Sequence, residues 1–148
     1  MSDTTVENER IARRVPEEIA TEGKIDLVDE VYASDAVDHL PFGNDATGPD
    51  QIRESMQTYR AAFPDFEANV EDVVTEGDTV AMPVTLSGIH EGEFMGHEPT
   101  NKSFEVQNMV FNRIEDGRVA ERWVQPDTLG IFVQLGLVTP PVGTSPTP

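Results

Sequence analysis

Asp127 follows Trp123 by four residues, where a run of alternating residues ends. Proton removal beside a carbonyl needs a base whose pKa lies nearer neutrality than the ~3.9 of free Asp. Burial beside Trp123 and Val106 would raise the pKa of Asp127 by desolvation. Asp is equally suited to capping the helix that the next residues predict, with Leu129, Phe132, Val133 and Leu135 as its apolar positions and Gly136 as its stop. The two roles are compatible. Two imidazoles are candidates for a proton relay, since imidazole titrates near ~6.5. His90 ends the stripe Val80, Met82, Val84, Leu86, Gly88, and His39 ends a shorter extended segment. Each could instead be a hydrogen-bonded structural histidine. His97, in a Gly- and Pro-containing loop, reads as a lid or surface residue.

The segment HEGEFMGHE gathers two His and three Glu. It fails the metalloprotease spacing, because Phe94 and Asn101 stand where the second histidine belongs. No metal site is expected. No phosphate-binding loop, dinucleotide fingerprint or nucleophile elbow occurs, so no cofactor is expected either.

The elements that must position these groups begin with hairpins. Gly77-Asp78 and Asp116-Gly117 each lie between alternating runs, a strong turn signal. A two-residue turn at Asp116-Gly117 sets Asn112 opposite Glu121, Val110 opposite Trp123, Asn108 opposite Gln125 and Val106 opposite Asp127. Period-two alternation puts them all on one half-polar face, as a small-molecule pocket requires. Trp123 and Val110 are expected as its apolar wall and Asn108 and Gln125 as orienting groups. Phe42, in the loop from Pro41 to Thr47, completes the expected lining. The opposite face, with Met109, Phe111 and Val124 among Gln107, Arg113 and Arg122, is expected to join two copies in a homodimer.

Helical periodicity runs over 6–22, interrupted by Pro16, over 25–33, and from Gly48-Pro49-Asp50 to Phe63. Strands follow near 66–76, 78–90, 103–115 and 118–126. Helices first and an antiparallel meander after imply an α+β fold, a curved sheet wrapped around the N-terminal helices as a cone with a pocket. The domain is expected to span 1–138, and 139–148 to be a Pro/Thr-rich tail.

The chain has 148 residues and a net charge of −18, with only two lysines, Lys24 and Lys102. The acids are spread along it. Self-repulsion on this scale destabilises a compact state unless salt screens it, which points to a protein adapted to high salt. No basic patch exists for nucleic acid, and no apolar run could span a membrane. The polar, acidic N-terminal residues do not resemble a signal peptide, so a cytoplasmic location is expected. Zero cysteines exclude disulfides and thiol chemistry.

Several short motifs occur in a telling order: Val37-Asp38-His39, Gly48-Pro49 opening a helix, Ala62-Phe63-Pro64-Asp65, Glu76-Gly77-Asp78-Thr79-Val80, Gly88-Ile89-His90-Glu91-Gly92, Met95-Gly96-His97-Glu98-Pro99-Thr100, and Glu121-Arg122-Trp123 with Asp127 and Gln134-Leu135-Gly136. Over about residues 8 to 138 the chain resembles the SnoaL-like polyketide cyclases, or ester cyclases, of the nuclear-transport-factor-2-like fold. The resemblance implies an intramolecular aldol closure of a polyketide ester without metal or cofactor, by an acid/base aspartate aided by a histidine. A small-ligand-binding domain needs the same pocket and is the alternative.

Overall fold

Helix α1 (Asp3–Arg14) buries Asn8, Ile11 and Ala12 and ends on Arg13 and Arg14, which suit the negative end of its dipole. It runs into a π-helical segment, Val15–Thr21. Pro16 has no N–H to continue the α pattern, and the chain widens there rather than dividing. Thr21 Oγ1 donates to Pro16 O at 2.8 Å within that segment. A 3₁₀ turn (Ile25–Leu27) and helix α2 (Val28–Val31) lead to strand β1 (Tyr32–His39). Strand β2 (Ala46–Thr47) and helix α3 (Gly48–Ala62) come next, followed by β3 (Glu67–Val70), β4 (Val74–Glu76), β5 (Thr79–Ile89), β6 (Ser103–Glu115), β7 (Arg118–Pro126) and helix α4 (Thr128–Gln134). The computed structural model describes residues 3–41 and 43–140. Phe42 and most of the expected tail, 141–148, lie outside the described residues.

The seven strands form one curved sheet of order β2-β1-β7-β6-β5-β3, with β4 also paired to β5. All pairs are antiparallel except β1 with β7, which run parallel. The helices and π segment fill the concave side, giving the expected α+β cone. The expected strand over 66–76 is two short ones. β3 pairs with Val84–Ser87 and β4 with Thr79–Ala81, and Glu71 N donates to Pro83 O at the gap.

In β5 and β6 the even-numbered residues point inward, from Val80 to Leu86 and from Phe104 to Ile114. Strand β7 breaks the simple pairing. Glu115 faces Arg118 and Ile114 faces Val119, but Arg113 then faces Glu121. Ala120 is the extra residue of a β-bulge, and Val119 and Ala120 are both buried. One inserted residue exchanges the two faces of everything beyond it. Phe111 therefore pairs with Trp123, Val110 with Val124 and Asn112 with Arg122. This corrects the sequence reading at five positions. Glu121, Trp123 and Gln125 lie on the outer face, and Arg122 and Val124 lie inside. The outer face carries Met109, Phe111 and Trp123, each 39–51% exposed.

Deleting Ala120 should restore the plain hairpin register, turning Trp123 inward and Arg122 and Val124 outward. The variant is expected to lose its cooperative thermal transition. A deletion variant that melts at the parent temperature would contradict the bulge assignment.

Candidate active site

A cavity of about 310 Å³ opens between the concave face and the helices, within the usual size range for small-molecule sites. Its walls are mainly apolar, with Val15 from the π segment, Met56 and Tyr59 from α3, Phe66 before β3, and Val84 and Leu86 from β5. Met95 also contributes, from the loop between β5 and β6. That loop is clamped to the end of α3, because Glu91 N and Gly92 N both donate to Ala62 O at 3.0 Å. A Cβ on Gly92 would lie 2.1 Å from Ala61 O, so only glycine fits. At the loop's tip Met95 takes a positive φ of 50° and is exposed.

The cavity wall also carries Asp38, Arg122 and, farther along β6 opposite Pro126, Asn108. The parallel β1–β7 pairing sets Asp38 directly beside Arg122. The Asp38 carboxylate is 1% exposed. Its Oδ2 accepts from the Tyr32 hydroxyl at 3.3 Å and lies 3.7 Å from Arg122 Nη1. Its Oδ1 has no partner among the described residues, and the same holds for Arg122 Nε and Asn108 Oδ1. Burial pushes the Asp38 carboxyl up to about 6, against the opposing pull of Arg122, the Tyr32 hydroxyl and His39. Burial raises Tyr32 as well, reinforced by the negative charge of Asp38. Tyr59 is raised by burial. Such an arrangement, a carboxyl that holds its proton weakly near neutrality beside a fixed cation in an apolar cavity, can move a proton to and from carbon.

The residues singled out from sequence are dispersed. Asn108 lines the cavity, and Val110 is buried on the same face. Asp127 is the exposed N-cap of α4, its Oδ1 accepting from Gly130 N at 2.8 Å, and it is absent from the cavity wall. His90 is fully buried in an aromatic cluster with Phe63 and Phe94. Its Nδ1 accepts from Thr100 N at 3.2 Å, which leaves the proton on Nε2. Its backbone pairs with Asn101 and Lys102 and closes the base of the loop. His39 lies on the outer face, its ring stacked on Trp123 with centroids 5.4 Å apart. Its Nε2 is 2.6 Å from Glu121 and its Nδ1 3.0 Å from Asp45. The hydrogen bond to Glu121 raises its pKa and lowers that of Glu121, with Asp45 adding to the former. Among the described residues no group of three or more His, Asp or Glu side chains is placed to hold a metal ion.

Asp38, Arg122 and Tyr32 escaped the sequence reading. Asp38 stood in Val37-Asp38-His39, where the imidazole drew attention. Arg122 was lost through the single residue of the bulge.

A family model for SnoaL-like polyketide cyclases matches residues 10–135. The chain belongs to the SnoaL-like polyketide cyclase family. It is similar to aklanonic acid methyl ester cyclase DauD of Streptomyces sp. (strain C5), at 31% identity over 93% of this chain and 88% of that protein. It is also similar to nogalonic acid methyl ester cyclase of Streptomyces nogalater, at 32% identity over 77% of this chain and 87% of that one. The crystal structure of IdmH from Streptomyces antibioticus superimposes with a TM-score of 0.77, at 32% identity, covering 87% of this chain and 98% of IdmH. The cone is thus the nuclear-transport-factor-2-like fold of the SnoaL-like proteins. In this member of the family, the charged pair at the cavity wall is built from β1 and β7.

Because Asp38 binds its proton more tightly folded than unfolded, it favours the fold below its unfolded pKa, and that contribution is lost as pH rises through about 6. The ¹³C carboxyl signal of Asp38 should titrate near that value. Tyr32→Phe removes a donor to the carboxylate and should move the midpoint higher. A midpoint in the ordinary carboxylate range, near ~3.9, would contradict the burial argument.

Proposed function

We propose that this protein closes a ring in the ester of a polyketide-like acid by aldol chemistry, with Asp38 as the proton-transfer group. The observation that carries the reading is a buried carboxyl with raised proton affinity at the wall of an apolar cavity, in a chain of the cyclase family. The names of the two methyl ester cyclases supply the substrate class.

The carbon–hydrogen bond beside a carbonyl breaks, and its proton passes to Asp38 Oδ1. The electron pair becomes the enolate. The enolate carbon then forms a bond to a second carbonyl carbon of the same molecule, and the resulting alkoxide takes the proton back from Asp38. The step needs no electron acceptor or donor. The apolar wall excludes water and holds the chain folded, while Tyr32 positions the carboxylate through Oδ2. Asp127, His90 and His39 were the candidates from sequence. Geometry favours a cap, a loop anchor and an outer-face clip for them, in that order.

Asp38→Asn should lose turnover of a polyketide methyl ester by about 10²–10⁴-fold. Asp127→Asn should keep parental turnover, because Asn caps a helix about as well as Asp. The reverse pattern would restore Asp127 as the catalytic acid/base, and a parent protein that binds esters without turning them over would leave a ligand-binding domain.

Two finer traits go with this reading. The charge of −18 favours a fold adapted to molar salt, and the outer face around Phe111 and Trp123 favours a second copy of the chain as its cover. Thermal midpoints should climb steeply from low salt to molar KCl, and light scattering should give a dimer that Phe111→Glu splits. A midpoint flat in salt, or a monomer throughout, would remove the corresponding trait.

A further inference from the structure

We propose that Arg122 is a catalytic residue, its guanidinium forming beside Asp38 an oxyanion-binding subsite that receives the enolate oxygen of the substrate. Two oppositely charged side chains meet at the cavity wall as cross-strand neighbours on β1 and β7, and each is more than nine-tenths buried: Asp38 is 1% exposed and Arg122 8%. Each carries one polar atom with no partner among the described residues. Native proteins pair such atoms as a rule, so two of opposite charge side by side at a cavity wall describe a complementary ligand group. Arg122 Nε offers a donor and Asp38 Oδ1 an acceptor. A carbonyl with an adjacent C–H bond matches the pair, its oxygen toward Nε and its carbon toward Oδ1.

The charge balance gives this pattern a catalytic meaning. Arginine keeps its charge in proteins. The counter-ion of Arg122 at the cavity is Asp38, at the long distance of 3.7 Å. When Asp38 accepts the substrate proton, the guanidinium loses that anion, and at the same moment negative charge develops on the substrate oxygen. The negative charge thus moves from one neighbour of Arg122 to another without leaving its field. An interaction that strengthens as charge develops lowers the barrier, where equal binding of ground and transition states would not. The buried setting amplifies it. The reaction in this inference is taken from the cyclase reading above, while the ligand chemistry comes from the cavity alone.

A naphtholate is a suitable probe, because it carries one negative charge on a flat apolar frame. Asp38→Asn puts a neutral amide where the protonated carboxyl would stand. At neutral pH, 2-naphthol bound to the Asp38→Asn protein should show a naphtholate absorbance fraction raised about tenfold or more over buffer, one unit of pKa. Asp38→Asn combined with Arg122→Gln should return that fraction to the buffer level, and with Arg122→Lys should retain part of it. Naphthol bound only in neutral form, or a naphtholate fraction unchanged by Arg122→Gln, would overturn the proposal. A second readout leaves Arg122 in place and so survives any misfolding of its variants. The ¹⁵Nε resonance of Arg122 in the Asp38→Asn protein should move with 2-naphthol and stay with naphthalene, and equal movement with both would overturn the subsite. A parent protein inactive on esters, with naphtholate binding still dependent on Arg122, would remove the cyclase reading and leave the subsite standing.

Discussion

The structure turns on one buried contact, the carboxylate of Asp38 beside the guanidinium of Arg122 across the parallel β1–β7 pair. Taking either charge out of water alone would cost several kcal/mol, and losing one partner of a buried pair typically costs about 3–5 kcal/mol. The two are tolerated together only because β1 and β7 hold them in register, with the Tyr32 hydroxyl donating to the same carboxylate oxygen, Oδ2, that faces Arg122. The pair is nonetheless incompletely satisfied, since Asp38 Oδ1 and Arg122 Nε are buried without partners among the described residues. A fold selected only for stability would have filled this space with apolar side chains. Strain of this kind is expected where a site must bind something else.

The rest of the cone serves that contact. Helix α3, the π segment and the even-numbered residues of β5 supply apolar walls, which lower the local dielectric and raise the proton affinity of Asp38. The bulge at Ala120 turns Arg122 toward the cavity, and without it the sheet would present Glu121 and Trp123 there. The loop between β5 and β6 is pinned at both ends, by Ala62 through Glu91 and Gly92 and by the pairing of His90 with Asn101 and Lys102. Its apolar tip, Met95, is left at the cavity wall. The backbone of His90 thus fixes the position of one wall.

Much of this was legible in the sequence, and the rest was hidden for identifiable reasons. Period-two alternation read β5 and β6 correctly to the residue, because Asn108 and Val110 share parity with an unbroken apolar stripe. The Asp127 cap was legible for the same reason, as its signals are local. Strand β7 was misread by one residue at Ala120, and that single error moved Trp123 and Gln125 into the expected pocket and Arg122 and Val124 out of it. A bulge of two small or branched apolar residues, Val119 and Ala120, leaves no mark that pattern reading can detect. Asp38 was hidden by distance. Its partner lies 84 positions away along the chain, through a parallel pairing that no local turn announces.

The most direct test of this account is the pH dependence of kcat/KM for a polyketide methyl ester, in the parent protein and in Tyr32→Phe. The free enzyme's essential base appears in that profile. Activity should rise through an apparent pKa near about 6 in the parent, and the rise should move to higher pH when the Tyr32 hydroxyl is removed. A profile that is flat across that range, or one whose midpoint ignores Tyr32→Phe, would contradict the claim that Asp38 carries the proton.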